Sequence, residues 1–85
     1  MGALSDTVGR NGTNLKQDVV RVQTLLRTAG FDPGPEDGVC GERTVAAIEK
    51  FQSQFMDDPD GLVGTEGLTW GKLAEAQQRV VEGKE

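Results

Sequence analysis

The stretch EDGVCGERTVAAIEKFQ, residues 36–52, joins an Asp-Gly turn, an apolar pair and a glycine to a segment of helical periodicity. It decides the fold because a second version, PDGLVGTEGLTW, follows at residues 59–70. In each copy the apolar pair (Val39-Cys40, Leu62-Val63) anchors the turn, and a glycine leads into the polar residues that open a helix. Aspartate in such a turn accepts backbone N–H groups, and glycine tolerates the dihedrals required. Two loops that plug the open end of a small helical bundle are the expected result. The short segments bearing the two Asp-Gly elements are also candidates to pair as a tiny sheet.

Helical spacing extends on both sides. Thr44, Ile48, Phe51 and Phe55, with Ala47 beside them, predict a helix over about residues 42–55. Glu42 suits its N-terminal dipole, and Pro59 in MDDPDG prevents its continuation. Upstream, Leu15, Val19, Val22, Leu26 and Ala29 form one stripe, widened by Leu25. Asn14 is the expected cap of that helix, with Gln17 as its capping-box partner. Gly30 stands where a left-handed C-terminal residue belongs, and Phe31 can fold back onto the last turn. FDPGPEDG must then be a loop, since its prolines and glycines exclude regular structure. A third helix is expected near Thr69 as N-cap, with Trp70, Leu73, Ala74 and Val80 or Val81 on one side. Gln77 interrupts that side, and RVVEGKE is expected to fray. The predicted fold class is all-α: a compact three-helix bundle with long glycine-rich loops over residues 14–82, behind a flexible, turn-rich segment 1–13.

Composition narrows the function. With 85 residues there is room for one domain and a thin core, and none for a large enclosed active site. The net charge of −5, with basic residues scattered along the chain, argues against nucleic acid and anionic lipid as partners. Cys40 is the single cysteine, so no internal disulfide forms, and without histidine it has no base to make it a nucleophile. An EF-hand register that puts Gly61 sixth places Met56 first and Gly67 twelfth, which fails. Zinc lacks ligands, and no cofactor is implied. The acidic residues read as turn and cap residues rather than a catalytic pair across a cleft, so the chain is not expected to be an enzyme. MGALSDTVGRNG has neither a secretory pattern nor the myristoylation pattern, and its NGT reads as a turn before a glycosylation acceptor. No stretch approaches the length of a membrane span.

Several side chains carry two readings. Trp70, at a first helical turn, is either core or a partly exposed indole on which a sugar stacks. Arg43 opposes the helix dipole, so it serves a salt bridge to Glu42, Asp37 or Glu36, or forks onto a carboxylate. Gln23 and Gln52 tie loops to helices or offer amides to a ligand.

Taken in order, DVVRVQTLL (18–26), GF (30–31), DGVCGERT (37–44), AAIEKFQ (46–52), DGLVG (60–64) and TWGKL (69–73) resemble the peptidoglycan-binding domain family. This family comprises small three-helix modules of bacterial and phage cell-wall hydrolases. Any one element is weak; six in order are specific. The sequence departs from the pattern between Gly64 and Thr69, where TEGL lengthens the second helix entry.

The resemblance implies a non-catalytic module that docks on the glycan or stem peptide of peptidoglycan and concentrates a linked or partner hydrolase there. Asp37, Arg43 and Thr44, with Gln23 and Trp70, are the implied ligand-binding residues, on a surface between FDPGPEDG and the second helix. A monomer at the cell wall or in the periplasm is expected, exported without a cleavable leader, or cytoplasmic before release. The rival is a protein–protein docking adaptor in a secretion or phage-derived assembly. An inhibitory prodomain of the metalloprotease type would need a Pro-Arg-Cys-Gly switch, which GVCGER lacks.

Overall fold

Three helices carry the expected apolar stripes: α1 (Lys16–Thr28), α2 (Glu42–Gln52) and α3 (Leu68–Gly83). Two short strands, β1 (Val8–Gly9) and β2 (Leu62–Val63), complete the elements among the described residues. The structure, a computed structural model, describes residues 4–65 and 67–83, with side chains described as far as residue 76. The inward placement of Val80 or Val81 and the interruption by Gln77 concern side chains outside that set.

Helix α1 packs on α3 and, less extensively, on α2. Val19, Val22, Leu25 and Leu26 meet Ala47, Ile48 and Phe51 of α2 and Trp70 and Leu73 of α3 in one core. Phe31 and Phe55 extend it through edge-to-face contacts with Phe51, at 5.6 and 5.4 Å between ring centres. Helix α1 ends as its sequence predicts. The Gly30 N–H reaches the Arg27 carbonyl and the Phe31 N–H reaches that of Leu26, with Gly30 at φ +97°. These are the two bonds of a Schellman ending.

Several expectations are corrected. Asn14 does not cap α1. It adopts φ +59°, and its side chain turns back to accept the Gly9 N–H and donate to the carbonyls of Gly9 and Gly12. Leu15, expected on the stripe, precedes the helix and is exposed. Helix α2 stops at Gln52, not Phe55, because Gln54 and Phe55 donate to carbonyls three residues back and tighten the chain into a turn. Thr69 lies inside α3 rather than capping it, and α3 extends to Gly83.

The largest correction concerns residues 4–13, expected to be flexible. Leu4 and Val8 are core residues, each contributing roughly 1.5–3 kcal/mol by burial. Asp18, buried in the first turn of α1, accepts the N–H groups of Ser5 (3.2 Å) and Asp6 (3.0 Å). A buried carboxylate needs such donors, and the start of a helix favours its charge. The small sheet likewise differs from the expected pairing of the two Asp-Gly elements. Strand β2 pairs antiparallel with β1, Val8 opposite Val63 and Gly9 opposite Leu62. A Cβ at Gly9 would lie 2.1 Å from the Gly61 carbonyl oxygen, so only glycine permits this approach.

Candidate functional site

The candidate site is built on the loop between α1 and α2, and its rigidity starts from one buried amide. Gln23 projects from α1, almost wholly shielded from solvent. Its Oε1 accepts the Gly38 N–H (3.1 Å), while Nε2 donates to the Val39 carbonyl (3.1 Å) and to Thr44 Oγ1 (3.0 Å). The Thr44 hydroxyl in turn donates to the Pro33 carbonyl (2.9 Å). Asp37 Oδ1 accepts the Val39 N–H (2.9 Å), closing the turn as the Asp-Gly motif predicts. Gly38 at φ +81° takes a conformation that side-chain-bearing residues rarely adopt.

A charged frame holds the outer half of the loop. Arg27 of α1 donates from Nε to Glu36 and from Nη2 to the Gly34 carbonyl, both at 2.6 Å. Thr24 donates to the other Glu36 oxygen. Arg43 of α2 donates to Asp32 at 2.7 Å, not to Glu42, Asp37 or Glu36 as expected. The Gly34 N–H bond, with Arg43 and Arg27 nearby, holds the Asp32 carboxyl below its ordinary range. Asp37 is lowered similarly, first by the Val39 N–H and then by the Gln23 amide.

The clamped loop and the start of α2 border a shallow depression of about 420 Å³. Pro35, Asp37, Val39, Glu42 and Arg43 line it, and Val39 is 65% exposed despite its apolar side chain. A smaller groove of about 280 Å³ lies across Arg43, bordered by Phe31, Asp32, Ala46, Ala47 and Lys50.

The five site residues expected from sequence therefore divide. Asp37 and Arg43 are exposed on this surface. Gln23 and Thr44 are buried beneath it, and their hydrogen bonds go to the loop. Trp70 is buried on α3, with the Arg21 guanidinium 5.1 Å from its ring centre, so its faces offer no platform for a sugar. Val39, Pro35 and Asp32 are not among the ligand-binding residues that the resemblance implies. The apolar pair after Asp-Gly is expected to anchor the turn, yet only Cys40, partly buried, packs against the core while Val39 points outward. Burial pushes the Cys40 thiol up, away from the reactive thiolate. Among the described residues, no group of three His, Cys, Asp or Glu side chains is arranged to hold a metal ion.

A family model described as a putative peptidoglycan binding domain matches residues 16–73. A spore cortex-lytic enzyme of Oceanobacillus iheyensis is 39% identical over 74 residues, covering 87% of this chain and 26% of that protein. A spore cortex-lytic enzyme of Bacillus subtilis is 40% identical over 65 residues, 75% of this chain and 21% of its own length. An uncharacterized protein of Kitasatospora aureofaciens is 51% identical over 41 residues, 47% of this chain and 33% of its own. The chain thus spans about a quarter, or less, of the length of the cortex-lytic enzymes it matches.

Proposed function

The chain belongs to the family of putative peptidoglycan-binding domains, and from this premise we propose that it is a non-catalytic module that docks on bacterial cell wall. The ligand surface is the depression between the α1–α2 loop and the start of α2. The observation that carries this reading is the Gln23 clamp: it fixes the backbone at Gly38 and Val39, so that an apolar side chain stands exposed between Asp37 and Arg43. A preorganised surface loses little ordering entropy on binding. Val39 and Pro35 offer apolar contact to a sugar face or an acyl group, and Asp37 and Arg43 offer polar contacts around it.

A chain of net charge −5 gains nothing from long-range attraction to carboxylate-bearing peptidoglycan, so binding is short-range and individually weak. Its use is tethering, which raises the local concentration of a linked or associated wall-active partner. In the cortex-lytic relatives, the remaining three-quarters or so of the chain would supply the lytic activity. The module works at the wall, as a monomer.

Sedimentation with purified insoluble sacculi tests the reading. The wild-type chain is expected in the pellet, with Arg43→Ala and Asp37→Ala each reducing the bound fraction. Absence of the wild-type chain from the pellet across several wall chemotypes would favour a protein-docking adaptor instead.

A further inference from the structure

The groove beside the loop surface, lined by Phe31, Asp32, Arg43, Ala46, Ala47 and Lys50, differs from the rest of the molecule in charge. Two cations there meet one carboxylate, on a chain whose net charge is −5. Arg43 uses Nη2 on Asp32, which is one donor site of a five-donor fork. Lys50 is exposed and enters no ion pair among the described residues. Seven residues apart on α2, the two cations stand on one side of the helix, their Cα atoms about 10 Å apart along its axis. Between them the lining is small and apolar, two alanines beside the Phe31 ring.

We propose that this groove takes the C-terminal end of a peptidoglycan stem peptide, with its free carboxylate on Arg43 and its small apolar last residue against Phe31, Ala46 and Ala47. Lys50 adds a point charge and a donor for a neighbouring carbonyl. At about 280 Å³ the groove is just below the range of drug-sized sites, which suits one small terminal residue better than a disaccharide. Phosphate would use the cations and leave the apolar lining idle. This inference rests on the peptidoglycan reading above and adds which part of the polymer is read: uncrosslinked stems, whose ends are free, over crosslinked ones.

The test is an NMR titration of the 15N-labelled chain with N-acetylated Lys-D-Ala-D-Ala, with the same peptide as its C-terminal carboxamide, and with a chitin tetrasaccharide. The acid should shift the amides of Phe31, Arg43, Ala46 and Lys50. The carboxamide should bind roughly two- to fivefold more weakly, the effect of losing an exposed charge pair. Arg43→Gln and Lys50→Gln, both at exposed positions, should weaken the acid more than the carboxamide while the spectrum stays folded. Equal binding of acid and carboxamide, or shifts confined to Asp37 and Val39, would overturn the inference. If sacculi still retain the chain in that event, the wall-docking function stands without it. If sacculi do not retain the chain, both fall.

Discussion

Gln23 and Gln52 make the same three hydrogen bonds on two successive loops. Each Oε1 accepts the N–H of the turn glycine, Gly38 at 3.1 Å and Gly61 at 2.8 Å. Each Nε2 donates to the next carbonyl, Val39 or Leu62, at 3.1 Å, and to a threonine hydroxyl, Thr44 at 3.0 Å or Thr69 at 3.1 Å. Helix, clamp and Asp-Gly loop thus occur twice in a row. The two copies diverge in what lies on them: β1 pairs with the second loop, while the first keeps Val39 exposed.

Removing either clamp leaves the buried N–H of the turn glycine without its acceptor and takes one hydrogen bond each from a carbonyl and a threonine hydroxyl; in the first loop these keep the Gly41 N–H and the Pro33 carbonyl as partners. The unsatisfied N–H costs about 1–3 kcal/mol and each of the two other lost bonds about 0.5–1.5, so Gln23→Ala and Gln52→Ala should each destabilise by roughly 2–5 kcal/mol. That is a large part of the stability of a small domain. Gln52→Ala should be the more damaging, because Gln52 also bonds Asp60 at 2.8 Å and supports β2. Gln23→Glu should not rescue, since it keeps the acceptor for Gly38 but loses the donor to Val39 and Thr44. Urea unfolding followed by circular dichroism reads these losses, and a change below 1 kcal/mol would show the clamps to be incidental.

Two glycines with positive φ separate backbone strain from steric collision. Gly30 at φ +97° has open space where a Cβ would go, whereas Gly9 at φ +123° faces the Gly61 carbonyl oxygen. Gly30→Ala should cost about 1 kcal/mol, the usual penalty for a left-handed alanine. Gly9→Ala should cost more and open the β1–β2 pair, seen as faster hydrogen exchange at the Arg10 amide. Equal stabilities for the two variants would contradict the close approach.

The sequence makes the helices, the Schellman ending at Gly30 and the two turn aspartates legible because each rests on local rules: periodicity, dihedral preference and short-range hydrogen bonding. What it hides is non-local. Asp18 looks like a first-turn acid, and nothing near it announces that it captures the N–H groups of Ser5 and Asp6. Val8 and Gly9 sit in a turn-rich segment whose strand character comes from Leu62 and Val63, more than fifty residues away. At the candidate site, Asp37 and Arg43 stand in the motif and lie on the surface. Thr44, Gln23 and Trp70 belong to the same set of motifs but face inward, since a recurring pattern marks residues that build the fold as readily as residues that reach the surface.

Trp70 provides a spectroscopic check of that division. It is 6% exposed and packed beneath Arg21. Its emission should be blue-shifted and unchanged when sacculus fragments are added, whereas a stacked sugar would alter it. Trp70→Ala should cost about 3–5 kcal/mol as a core truncation, so any lost wall binding should track lost folding. Quenching of the wild-type emission by ligand would reverse the assignment.

Acid should loosen the candidate surface before it unfolds the helices. Asp32 and Asp37 are both held below the ordinary value of 3.8, each chiefly by a backbone N–H, Gly34 for one and Val39 for the other; partial desolvation pulls the other way. A lowered folded value means that the unfolded loop binds more protons in the window between the two values. The stabilisation is therefore complete above 3.8 and is lost as pH falls below it through the folded values. The Gly34 and Val39 amide resonances should titrate with midpoints below 3.8, and retention on sacculi should fall over the same range. Asp32→Asn should abolish the Gly34 transition and leave that of Val39 in place, because the two turns are closed by separate carboxylates. Midpoints at or above 3.8 would mean that these bonds do not hold the loop in solution.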